Sequence, residues 1–326
     1  MTSWTILTGG AGFIGSHLVD ALLAENRPVL VIDRRANDRG NLAAHLGDPR
    51  LRLVSADIRA PLADPLASAM ADVESVAAVV HLAAQIDVAR SLDDPIGDAQ
   101  DNLVGTLQVA RLARALNTRL VFASSAAVYG VSEALPVVEE DAGWPPSPYG
   151  IHKLAAEMHL RVQARLPDKP LSAVSLRFFN VYGSRQDPRS HYAGVIARFV
   201  ERALAGQPLE IFGDGQQTRD FIHVADVVQA VLAACERGPS DGTPINVGGG
   251  QEISIRELAE RVVALTGSES PIVHLPALGG EVRRSRASVE RSTTHLGVRP
   301  TIALDRGLRE FAAWFAGLGM SASSST

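Results

Sequence analysis

Apolar residues in the first half of this chain come in two rhythms that take turns. Short unbroken runs at Thr5–Thr8, Val29–Ile32, Leu51–Ser55, Val76–Leu82 and Arg119–Ala123 have the length and content of strands buried on both faces. Between them, Phe13–Ala24 repeats apolar residues at helical spacing (Ile14, Leu18, Ala21, Leu22) until Asn26-Arg27-Pro28 breaks it, and Asn102–Leu116 is a second amphipathic helix. Further on, Leu171–Arg177 and Leu209–Phe212 are predicted strands, and a helix opens at Tyr149. Strands alternating with helices imply right-handed crossovers and a parallel sheet, whose ligands bind beyond the carboxyl ends of the strands.

The first of those strand ends is a glycine cluster. Gly9, Gly12 and Gly15 stand three apart where Thr5–Thr8 ends, and the helix opens with Phe13 and Ile14. Glycines at such a turn allow a sharp bend, close approach of backbone to a pyrophosphate, and packing of helix on strand. Free amides at the helix start then favour the anion. Asp33 ends the second strand, where a carboxylate would grip an adenosine ribose diol and repel a 2′-phosphate by about 4 kcal/mol before screening. Arg34 and Arg35 follow and would offset part of that repulsion. Asp57, before Ile58, either caps a helix or touches the adenine. Leu82, Ala83 and Ala84 are small enough at the fourth strand's end to leave room for a cofactor, or simply pack closely.

Composition narrows the class. With 326 residues, 46% of them apolar and 21% charged, the chain can bury a sizeable core. Its net charge of −5 argues against broad nucleic-acid binding. Cys235 is the single cysteine, so a reducing compartment is expected. The first strand begins almost at once, so no leader peptide is expected, and no apolar stretch is long enough to span a membrane. The scattered histidines suggest no metal site. Of 31 basic residues only Lys153 and Lys169 are lysine, which gives weight to Lys153 standing four residues after Tyr149 on one helix face. A tyrosine titrates near 10, and reaching 7 takes roughly 4 kcal/mol of phenolate stabilisation. An ammonium about 4 Å away supplies a term of that order. Ser124 or Ser125 would orient the same substrate hydroxyl.

Gly9/Gly12/Gly15, Asp33, Asp57-Ile58, Leu82-Ala83-Ala84, Ser125 before Val128-Tyr129-Gly130, and Tyr149 with Lys153 together resemble the extended short-chain dehydrogenase/reductase family. Within it the closest likeness is to nucleotide-sugar 4-epimerases of the UDP-galactose 4-epimerase type. The resemblance implies a Rossmann-type doubly wound parallel sheet with a smaller, discontinuous C-terminal substrate domain. It places the NAD-binding domain at 1–177, completed by about 221–250, the sugar domain at 178–220 and 251–317, and a loose tail at 318–326. It implies NAD as cofactor, held by Gly9, Gly12, Phe13, Ile14, Gly15, Asp33, Arg34, Asp57, Ile58, Leu82, Ala83, Ala84, Tyr149 and Lys153. Ser125, Tyr149 and Lys153 become the catalytic trio. A UDP-sugar is expected on Gln85, Ser124, Ser125, Asn180, Arg185, Val195, Phe212, Arg219, Arg283 and Ser285, with Tyr192–Ile196 nearby. The resemblance also implies a cytoplasmic homodimer paired through helices 102–116 and 149–166.

Two departures bear on the chemistry. Dehydrating and decarboxylating relatives carry an extra acid at positions matching Ala126 or Ala127, and here both are alanine. Ser288 stands where many relatives have aspartate. The expected activity is therefore C4 inversion of a UDP-hexose. A dehydratase or decarboxylase is the alternative, and a non-catalytic NAD-sensing scaffold is the alternative outside enzymes.

Overall fold

In the computed structural model of the protein, residues 3–35, 40–132, 134–186, 194–277, 279 and 282–322 are described. The first half runs β1 (Ser3–Thr8), α1 (Phe13–Ala24), β2 (Val29–Ile32), β3 (Leu51–Val54), α2 (Ala63–Leu66) and β4 (Ser75–His81). There follow α3 (Val88–Asp93), α4 (Pro95–Ala99), α5 (Gly105–Ala115), β5 (Arg119–Ser125), α6 (Pro148–Gln163) and β6 (Ala173–Phe178). The second half adds β7 (Asn180–Tyr182), α7 (Val195–Leu204), β8 (Leu209–Phe212), β9 (Thr218–Arg219), β10 (Phe221–His223) and α8 (Val224–Glu236). It ends with β11 (Asp241–Val247), β12 (Ile253–Ser254), α9 (Ile255–Thr266), β13 (Ile272–Leu275) and α10 (Leu304–Ala322).

Seven strands form one sheet in the order β11-β6-β5-β4-β1-β2-β3, each pair parallel. Successive side chains of a strand point to opposite faces. Leu7, Val31, Val80 and Val121 therefore meet Leu18 and Leu22 of α1 and Val231 of α8 on one face. Ile6, Leu30, Val79 and Phe122 meet Val109 of α5 and Leu160 of α6 on the other. Both faces are covered, which is why the strands read as unbroken apolar runs. A separate core joins α7, α9, α10 and β8 through Phe199, Val200, Leu258, Ile211 and Phe311. Short pairs β7–β10, β9–β12 and β8–β13 sit outside the main sheet.

Three expectations need correction. The helix predicted from Asn102 starts as a wide turn, Gln100–Val104, which leads into α5. The fifth strand extends two residues beyond Ala123, so Ser124 and Ser125 lie within β5 and point to opposite faces. The tail expected from residue 318 is helical through Ala322, because α10 lays Leu308 and Phe311 into the core and continues past them. Tyr192 lies outside the described residues.

Candidate active site

The glycine turn between β1 and α1 is built for close backbone contact. Gly9 has φ +75°, and a Cβ there would stand 2.7 Å from the Ala83 amide nitrogen beyond β4. A Cβ on Gly15 would stand 2.2 Å from the Gly9 carbonyl oxygen, whereas one on Gly12 would meet only that oxygen, at 3.2 Å. Gly12 caps α1 with no side-chain hydrogen bond and no acid follows in the first turn, so the opening amides at Phe13, Ile14 and Gly15 have no side-chain acceptor at the cap. Asp33 sits at the tip of β2, accepting from the Ala11 amide at 3.2 Å and the Arg35 amide at 2.9 Å. Small residues at the turn, an uncapped positive helix end and a carboxylate one strand away fit a dinucleotide. Arg34 leans to Asp101, 3.8 Å away. Asp57 is held by Arg59 at 2.5 Å and Ile58 packs against Gly105, so both face neighbouring side chains. Leu82 and Ala84, partly buried, flank the Ala83 contact.

Ser147 caps α6 by accepting from the Gly150 amide at 3.3 Å, with Pro148 in the first turn, and the helix carries Tyr149 and Lys153 onto the carboxyl end of β5. Both are buried, at 8% and 3% exposure. Ser125 accepts from the Ala127 amide at 3.2 Å, and its hydroxyl neighbours the Tyr149 phenol and pulls that phenol's pKa down. Lys153 Nζ donates to the Ala123 carbonyl at 2.9 Å and stands 5.9 Å from the centre of the Tyr149 ring. This corrects the expected electrostatics. Burial pushes the phenol up to about 12 even with Ser125 pulling down, and pushes Lys153 down to about 8. Desolvation of the phenol is the largest cause of its shift and sets the direction.

The two serines separate. Ser124 is buried and donates to the Glu157 carboxylate, so its hydroxyl belongs to the interior rather than to a sugar. Glu157 pairs with Arg177 through Nη2–Oε2 at 2.6 Å and Nε–Oε1 at 2.9 Å. Arg177 reaches on to the Tyr129 hydroxyl at 3.0 Å and the Glu139 carbonyl at 2.7 Å, and Tyr129 donates to Asn246. Gln85 is likewise turned inward. Its amide donates at 2.8 Å to Asp98 and to the Asp87 carbonyl, and it leaves no polar group for a substrate.

The second half brings Phe212, Arg219, Arg283 and Ser285 around β9. The Thr218 amide donates to the Arg283 carbonyl at 3.0 Å, and the Ser285 amide donates to the Thr218 hydroxyl at 3.4 Å. Arg219 donates to the Thr218 and Val282 carbonyls, both at 2.8 Å. Arg283 makes a two-pronged pair with Asp214 at 2.8 Å, and Gln217 donates to the Phe212 carbonyl at 2.7 Å. Asn180 is exposed, with its amide donating at 2.8 Å to the Asp220 carbonyl. Val195 opens α7, half-buried. Arg185 departs from this group. Its left-handed backbone, φ +67°, turns it to Asp20 of α1 at 2.7 Å.

Residues 5–248 match the sequence family described as the NAD dependent epimerase/dehydratase family. The chain belongs to that family. It is 41% identical over 317 residues to the UDP-glucose 4-epimerase of Mycolicibacterium smegmatis, covering 95% of this chain and 98% of that one. The structure of a UDP-N-acetylglucosamine 4-epimerase from Methanobrevibacter ruminantium, in complex with UDP-N-acetylmuramic acid, superposes with TM-score 0.89 at 31% identity, covering 98% and 100% of the two chains. That of the UDP-glucuronic acid 4-epimerase from Bacillus cereus, in complex with UDP-glucuronic acid and NAD, gives 0.85 at 30% identity, covering 97% and 99%.

Within this family chain, sequence reading missed the buried Glu157–Arg177 pair and the Asp98–His152 pair, joined by Nδ1–Oδ2 at 2.6 Å. Each joins residues far apart in sequence, and only the absence of solvent gives them their importance. No group of three or more metal-ligating side chains occurs among the described residues. With Glu157→Gln, Arg177 keeps its burial at 2% exposure but loses its counter-charge. The expected cost is about 3–5 kcal/mol, read from the urea midpoint. A variant within about 1 kcal/mol of the parent would show that the pair does not hold α6 to the sheet.

Proposed function

We propose that this chain is an NAD-dependent enzyme, cytoplasmic and homodimeric, that inverts C4 of a UDP-hexose through a transient 4-keto sugar. The observation that carries the reading is the meeting of Ser125, Tyr149 and Lys153 at the carboxyl end of β5. The neighbouring strand β4 ends against the glycine turn. The names of the relatives support the same reaction class.

In this reading the amides at Gly9–Gly15 hold the pyrophosphate of NAD, Asp33 takes the ribose diol, and Leu82–Ala84 line the path between them. Bound NAD supplies a hydride acceptor for C4 and a positive charge that favours the phenolate. Tyr149 Oη takes the proton from the C4 hydroxyl and later returns it to the C4 oxygen. Ser125 Oγ orients that hydroxyl, and Lys153, fixed to the Ala123 carbonyl, supports the phenolate by its charge. Arg219 and Arg283 bind the sugar's diphosphate, with Val195 and Phe212 against the base. The sheet through β6, completed by β11, is the nucleotide domain, and the segments around β8, β9 and α9 form the sugar domain.

Ala126 and Ala127 follow Ser125 in a short 3-10 turn and present no proton-moving group, which argues against dehydration and decarboxylation. A non-catalytic scaffold would have no use for burying Tyr149 and Lys153 together. No helix among the described residues is long and apolar enough to cross a membrane. Ile151, Met158 and Val162 form an exposed apolar stripe on α6, beside Leu92 of α3 and Ile96 of α4, and Met158 is 63% exposed. Such a stripe supports pairing of two copies.

UDP-glucose, UDP-N-acetylglucosamine and UDP-glucuronate, followed by NMR without added reductant, are expected to include a donor that yields its C4 epimer. Tyr149→Phe should slow turnover by about 10²- to 10⁴-fold. No epimer from any of the three would sink the reading. The family resemblance places Ser285 beside the sugar's C2 substituent, and the residue is small and half-buried, so the pocket is expected to admit an N-acetyl group. Ser285→Tyr should cost N-acetyl donors roughly a hundredfold while sparing UDP-glucose, whereas equal loss on both would make Ser285 a packing residue. Light scattering at micromolar concentration should give the mass of two chains for the parent and of one for Met158→Glu. A monomeric parent overturns the dimer.

A further inference from the structure

Asp98 is a buried carboxylate whose charged partner is neither a lysine nor an arginine among the described residues. It lies on α4, which packs against α6, and its side chain is fully buried. One carboxylate oxygen accepts from His152 Nδ1 at 2.6 Å, and the other from Gln85 Nε2 at 2.8 Å and Asn102 Nδ2 at 2.9 Å. A carboxylate accepts only, so this contact fixes the proton on His152 Nδ1. His152 sits on α6 between Tyr149 and Lys153.

Two anions act on Lys153, Asp98 and Glu157. Glu157 of α6 is matched by Arg177 of β6 in a two-pronged pair. His81 of β4 hydrogen-bonds Thr8 at 2.7 Å and Thr106 at 3.1 Å, and burial pushes it down to about 3, so it is uncharged. Asp98 remains, its carboxylate held by two side-chain amides and His152, and its charge acts on both Tyr149 and Lys153. We infer that Asp98, clamped by His152, Gln85 and Asn102, is a positioning residue whose buried carboxylate steadies the ammonium charge of Lys153 beside Tyr149. The catalytic meaning rests on the epimerase reading, but the charge coupling itself does not.

The chain's two lysines make the test direct. Protein labelled with ¹³C-lysine and studied as purified gives two titrating signals, assigned with Lys169→Arg. In the parent Lys153 is expected to titrate near 8. In Asp98→Asn the amide keeps the shape and loses the charge, so the titration should move about one pH unit to acid. His152→Asn keeps a donor on the carboxylate and should leave it in place. An unmoved Lys153 in a folded Asp98→Asn would make the clamp merely structural and overturn the inference. So would an equal acid shift in His152→Asn, which would assign the effect to the imidazole. Asp98→Ser, which leaves room for a water, gives the same reading if the asparagine variant does not fold. None of these outcomes depends on finding a sugar donor, so a failed donor panel and a failed coupling remain distinct results.

Discussion

Helix α6 has to bury a phenol, an ammonium and a carboxylate on a single face, and the desolvation of these groups sets terms for everything around them. An unpaired buried charge costs several kcal/mol, so each group is tolerated only where a partner waits at a fixed position. The carboxyl end of β5 provides three of them in consecutive residues. The Ala123 carbonyl takes Lys153, Ser124 takes Glu157, and Ser125 stands beside Tyr149. Arg177, paired with Ser124 across the β5–β6 ladder, completes the set. A slip of one residue between helix and strand would leave all three unmatched. The register of α6 on the sheet is therefore held by polar partners, while Ala156 and Leu160 fill the space between them.

The same constraint separates what could be read in the chain from what could not. The glycine turn was legible because its requirements are local: Gly9 and Gly15 lack Cβ atoms for reasons contained within a few residues and one neighbouring strand. Tyr149 and Lys153 were legible because helical spacing puts them on one face. Ser124 and Ser125 could not be told apart until the strand was seen to run on to Ser125, after which alternation assigns them opposite faces. Gln85 and Ser124 carry the right polar groups for a substrate, but partners from distant segments use them first. The Asp98–His152 bond spans 54 positions, and no spacing rule reaches across it. Neighbouring positive charge favours a lowered phenol, whereas burial raises it and makes the charge on Lys153 itself something the fold has to defend.

Burial also sorts the arginines of the second half, which composition alone leaves equivalent. Arg177 is 2% exposed and saturated by Glu157, Tyr129 and Glu139. Drawing it toward a ligand would strand a buried carboxylate, so it is fixed. Arg283 is the opposite case. Its side chain is 61% exposed and its partner Asp214 is 57% exposed. Such a surface pair contributes about 0–1 kcal/mol, so exchanging the carboxylate for a diphosphate oxygen costs little while keeping the two-pronged geometry. Arg185 lies between these limits, partly buried on Asp20 and reached through a left-handed turn, so moving it would unsettle the link to α1 as well as one ion pair. Arg219 donates to two backbone carbonyls, which hold its guanidinium beside β9. Arg219 and Arg283 thus stand on the β9 side of the molecule, the first held by backbone and the second in an exposed pair.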